Sequence, residues 1–188
     1  AFWVFGIASS LYGLVASGIG LFNESILAER GFPPDVYHRA LAMTAIAGLA
    51  GNFAAGAWAG RGSLRRILVI ALVLLTGALI ALPHVSTMTH VMAQAIAMGV
   101  SGGFVMVVFF SFWGRAYGRT HLGRIQGVAQ SLTVLASAVG PLLLAWCARV
   151  TGSYAAAFYG LGITLGGLAV TTLIVPIPPG AEPVERSR

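Results

Sequence analysis

The sequence predicts an all-α, polytopic membrane protein with six transmembrane helices, and three observations predict it. Of 188 residues, 57% are hydrophobic and only 9% charged, too few charges to cover a water-soluble domain of this size. The basic complement is eleven arginines and no lysine, for a net charge of +6. Those arginines stand at the ends of apolar runs. The stretch Trp113 to Gly127 carries Arg115, Arg119 and Arg124 and no acid; no charge precedes it back to Ile67, and none follows until Arg149. A basic segment held between long apolar runs is a membrane-surface loop, and arginine so placed favours the cytoplasmic face. Nucleic-acid binding, which needs basic residues gathered on one polar face, is excluded by this pattern.

The first helix spans 1–28, longer than the roughly 20 residues that cross hydrocarbon. Ala1 opens directly on an apolar run with no basic segment before it, so the start reads as a chain entered in its middle and not as a signal peptide. Asn23 and Glu24 fall late, with Glu24 about 9 Å from a helix end near Arg30. Gly31 and the pair Pro33-Pro34 end the helix, and Asp35 is placed to cap the next one.

The second helix, 36–59, has His38 and Arg39 in its first turns and a small-residue face of Gly48, Gly51 and Gly56 for close packing. Asn52 lies deep in it, either as an interhelical hydrogen-bonding group or facing a cavity. The third, 67–82, carries Thr76 as its one polar side chain and is expected to face lipid over much of its surface. LPHVSTMTH is the turn that divides an uncharged run too long for one span. Its histidines, His84 and His90, are six apart and have no carboxylate or cysteine nearby in sequence, so no metal site is expected.

The fourth helix, 88–113, has Gln94 early, a GVSGG cluster in its middle and Trp113 at its end, placed as an interfacial anchor. The fifth, 122–148, is the most polar. Gln126, Gln130, Thr133 and Ser137 recur at three and four, which is one helix face, and such a stripe lines a wet path or hydrogen-bonds neighbours. Gly140-Pro141 is expected to bend it. The sixth spans 154–176, and residues 178–188 form a polar, proline-containing tail expected to be disordered. The single Cys147 excludes an intramolecular disulfide.

With six helices, one side holds Arg61, Arg65, Arg66, Arg115, Arg119, Arg124, Arg186 and Arg188, and the other Arg30, Arg39 and Arg149. The first side, with both chain ends, is therefore expected in the cytoplasm. Glu24 and Arg39 sit at similar depths on consecutive antiparallel helices and form a candidate outer-side charge pair; Arg39 could instead pair with Asp35 or face an anionic substrate. No nucleophile elbow, zinc-binding His-Glu motif or phosphate loop occurs, so neither an enzyme nor a cofactor is expected.

Gly56, Arg61, Arg65 and Arg66 match the loop motif Gly-x-x-x-Asp-Arg-x-Gly-x-Arg-Arg that follows the second helix of each half of a major facilitator superfamily transporter. Gly60 replaces its aspartate and Ser63 its second glycine, which weakens any charge-relay role for this loop. Nearly the whole chain resembles the C-terminal six-helix half of such a transporter, with a flavour similar to bacterial monocarboxylate and oxalate-formate carriers. The resemblance implies one half-bundle built as a 3+3 inverted repeat, partnered by an N-terminal half absent from this chain, in a bacterial inner membrane. It implies alternating access to a small solute, such as an organic anion, with proton coupling where a relay exists. The first, second, fourth and fifth helices would line the path, with Asn52, Gln94, Gln126, Gln130 and Thr133 as candidate path residues and Glu24 as the one intramembrane carboxylate offered. The alternative is a truncated or accessory integral membrane protein without transport activity of its own.

Overall fold

The computed structural model describes residues 2–60, 62–118 and 120–175. Arg61, Arg119, Arg186 and Arg188, and the tail assigned to disorder, lie outside the described residues. The helices are α1 (Phe2–Ala28), α2 (Pro34–Ala59), α3 (Leu64–Ala81), α4 (Met88–Tyr117), α5 (Leu122–Thr151) and α6 (Ala155–Ile174), with a 3-10 turn, Leu82–His84, after α3. All six spans are long and apolar enough to cross a bilayer. The protein is a multi-pass, all-α integral membrane protein.

The helix ends follow local chemistry. Past α1, Gly31 takes φ 78°, the Gly31 N–H donates to the Ala28 carbonyl at 2.9 Å and Phe32 N–H to Leu27 at 3.1 Å. This pair of bonds is a Schellman closure, with Phe32 and buried Leu27 in the core. Pro34 then occupies the first position of α2, where its missing N–H costs nothing. Asp35 is consequently inside the first turn and does not cap the helix; Pro33 holds the cap position with no side-chain bond.

Three helices run past their expected ends. α3 begins at Leu64 because that side chain is buried, which carries the neighbouring arginine stems into the first turn. α4 continues to Tyr117, whose ring stacks on Trp113 at 6.5 Å, and stops at Gly118 with φ 74°. α5 reaches Thr151 and closes on left-handed Gly152. Trp113 is not an interfacial anchor. It is fully buried, packed between Phe2, Phe109 and Phe112.

Small residues set which helices meet. α2 and α4 approach backbone to backbone, so that a Cβ at Gly103 would lie 2.5 Å from the Asn52 nitrogen and one at Gly51 2.9 Å from the Val100 carbonyl. α1 meets α5 in the same way: a Cβ at Gly18 would fall 3.2 Å from the Gly140 carbonyl, and Ser17 Oγ donates to the Ser137 carbonyl at 2.7 Å. α3 lies between α4 and α6. Leu64, Ile67, Leu68, Ala71, Leu72, Leu75 and Leu79 bury one face of it, while Val73 and Ile80 stay exposed. Its all-round apolar character thus divides between core and outer surface, so half the helix is withheld from lipid.

Side-chain contacts fix which ends lie together. At one end Phe2 packs against Trp113 with tilted rings, Arg115 donates to the Ala59 carbonyl at 2.9 Å and Arg65 to the Leu173 carbonyl at 3.3 Å. At the other, Ser153 donates to the Glu29 carboxylate at 3.4 Å and Tyr159 bonds His84 Nε2 at 2.9 Å.

Candidate functional site

Two adjoining cavities open where α1, α2, α4 and α5 meet. One, about 320 Å³, is lined by Tyr12, Thr44, Gly48, Asn52, Gly102 and Met106 among others. The second, about 170 Å³, is lined by Ser9, Tyr12, Met106, Phe110, Gln130 and Thr133 among others. Tyr12 and Met106 belong to both and form the partition between them. The Tyr12 phenol is seated directly on Gly102, where any Cβ would overlap its hydroxyl. Only glycine leaves room for a ring at that point, so the glycine cluster of α4 positions Tyr12 as well as packing against α2.

The polar groups on this surface differ in what they have left to offer. Thr44 and Thr133 hydroxyls are spent on their own helices, donating to Ala40 at 2.9 Å and Ala129 at 3.0 Å. The amides of Asn52 and Gln130 make no hydrogen bond among the described residues, so both can meet a solute or water. In an otherwise apolar bundle, polar groups without a protein partner are free to bind water or a solute. No formally charged side chain lines either cavity among the described residues.

Of the five path candidates, the structure gathers Asn52, Gln130 and Thr133. Gln126 lies one turn nearer the helix end and lines neither cavity. Gln94 is on a different surface: it lines a hollow between α3 and α4, because twelve residues of helix turn it about 120° away from Met106. The α5 stripe also divides. Ser137 faces α1, where a Cβ on Gly13 would lie 2.6 Å from its hydroxyl, and it donates to the Thr133 carbonyl at 2.8 Å. That half of the stripe is a packing seam.

The proposed pair of Glu24 and Arg39 does not form. Arg39 pairs with Asp35, one turn earlier on its own helix, at 3.2 Å with both side chains largely exposed. Glu24 is exposed and has no ion pair among the described residues. In the loop motif, Gly56 meets open space, Arg66 is exposed, and Arg65 binds the carbonyl end of α6.

Sequence reasoning passed over Tyr12, Thr44, Met106 and Phe110. Tyr12 is the one phenol in α1, a weak signal in a long apolar run; Met106 and Phe110 are apolar and carry no sequence mark of a cavity.

No match to a curated protein sequence was found. The sequence model of the Major Facilitator Superfamily matches residues 5–188. With six apolar spans and a match over nearly its whole length, the chain belongs to the major facilitator superfamily, a family of membrane transport proteins and not of enzymes.

Proposed function

We propose that the chain forms one of the two bundles of a secondary transporter and that its α1–α2–α4–α5 face is one wall of an alternating-access path. The observation that carries this reading is the meeting of Tyr12, Asn52 and Gln130, from three helices, at two adjoining cavities. Such a face needs a facing bundle, and a six-helix N-terminal half would supply it. A 3+3 inverted repeat is supported by the packing: α1 against α5 is matched by α4 against α2, the exchange that relates helices one to three with four to six.

For an organic-anion substrate, the two bundles would divide the labour. Among the described residues this wall offers amide, phenol and aromatic groups without a cation, so the anion's counter-charge would come from the facing bundle. The same holds for proton coupling. Glu24 lies at the edge of its span, away from both cavities, so a proton relay would lie in the other half. The end holding Arg65, Arg66, Arg115 and Arg124 is read as cytoplasmic, in a bacterial inner membrane, by its excess of arginine.

Reconstituted proteoliposomes test the reading with labelled organic acids under an imposed gradient. Asn52→Ala and Gln130→Ala are expected to raise KM or abolish saturable uptake by the complete carrier, and Glu24→Gln to leave its pH dependence unchanged. Saturable, gradient-driven uptake by residues 1–188 alone would overturn the one-wall reading.

A further inference from the structure

A third hollow, about 340 Å³, lies between the end of α3 and the start of α4. Its walls are small and apolar, with Gly77 and Ala81 on one side and Ala93 and Ala97 on the other. Only one end is polar, where His84, His90 and Gln94 come together. Ala97 and Met106 are nine residues apart on α4, which is half a turn out of phase. The hollow therefore opens on the opposite side of α4 from the transport wall.

The polar end is built, not incidental. The Tyr159 hydroxyl holds His84 through Nε2 at 2.9 Å, and Ser86 Oγ lies 3.4 Å from His90 Nδ1. These contacts orient both rings and leave one nitrogen of each for another partner. The α3–α4 turn joins two spans, so this end lies at the membrane–water interface and the apolar part runs inward. From His90 to Ala97 it extends about 10 Å at the helical rise. Its small apolar walls along that length suit a single hydrocarbon chain, and its polar end suits a headgroup at the interface.

We propose that this groove binds a glycerophospholipid of the surrounding bilayer. One acyl chain lies along the alanine and glycine walls, and the headgroup phosphate accepts hydrogen bonds from His84, His90 and Gln94. The phosphate also meets the positive end of the α4 dipole. Gly77 leaves the chain room, since a Cβ there would touch nothing within 4 Å.

The test uses phosphatidylglycerol with a photoreactive acyl chain, in membranes containing the full protein, followed by peptide mapping. Labelling is expected to concentrate in residues 77–97, to fall several-fold in Ala93→Leu and in the double variant His84→Ala/His90→Ala, and to be several-fold weaker with diacylglycerol carrying the same chain. Gly77→Val fills the groove from the other wall if Ala93→Leu does not fold. Even labelling around all six helices, labelling unchanged by groove filling, or equal labelling by diacylglycerol would overturn the proposal. So would crosslinks joining two copies of the chain through this groove.

Discussion

Glycines with the same helical conformation differ sharply in what surrounds them, and this decides which can be replaced. At Gly103 an added Cβ meets the backbone of α2 at 2.5 Å from both the Asn52 nitrogen and the Gly48 carbonyl, and backbone cannot step aside as a side chain can. Gly103→Ala should therefore force α2 and α4 apart and cost about 1–3 kcal/mol, read as a lower Tm in detergent. Gly56→Ala meets open space and should be neutral or stabilising by up to about 1 kcal/mol. Equal losses at both sites would remove the close-packing explanation. At Ser101 the hydroxyl donates to the Ala71 carbonyl at 2.9 Å and is wholly buried. Ser101→Ala should cost about 0.6 kcal/mol, the mean for an interhelical bond within a membrane. The sequence displayed these glycines as small-residue faces, but a single chain carries no mark of which glycine opposes backbone and which opposes lipid. Tyr12 escaped notice for the same reason, since its significance comes from Gly102 on another helix.

Helices were the most legible level, because each span is a long uncharged run with its own stop signal. Gly31, Gly118 and Gly152 end their helices with positive φ. What was hidden is how far a helix continues once tertiary contacts reward it. α4 passes Trp113 because four aromatic rings surround that indole, and no periodicity in the last turn announces this. The polar stripe of α5 falls on one face by periodicity, yet at Ser137 it is consumed by contact with α1. Arginine at the basic end also binds helix ends together: Arg115 carries its charge to the carbonyl terminus of α2, where the dipole is negative. Arg115→Ala should cost about 1–2 kcal/mol, and Arg115→Lys should recover part of it. Thermal unfolding of the two variants checks this, and an unchanged Tm in both would mean the contact contributes nothing.

For the molecule as a whole, the proposed path requires that one face of the bundle meet water and solute while the outer faces meet lipid. The single cysteine makes this directly measurable. Cys147 is buried on α5, and Cys147→Ala leaves residues 1–188 with no other thiol; any thiol of the facing bundle is replaced likewise. In that background single cysteines at Asn52 and Gln130 report the wall. Cysteines at Val73 and Ile163, exposed on α3 and α6, report the outer surface. A membrane-impermeant maleimide should label Asn52→Cys and Gln130→Cys, with rates that change when a transported solute is added, and should leave Val73→Cys and Ile163→Cys unreacted. If Asn52→Cys and Gln130→Cys prove as unreactive as the two outer positions, with and without solute, this face is not the wall of a transport path.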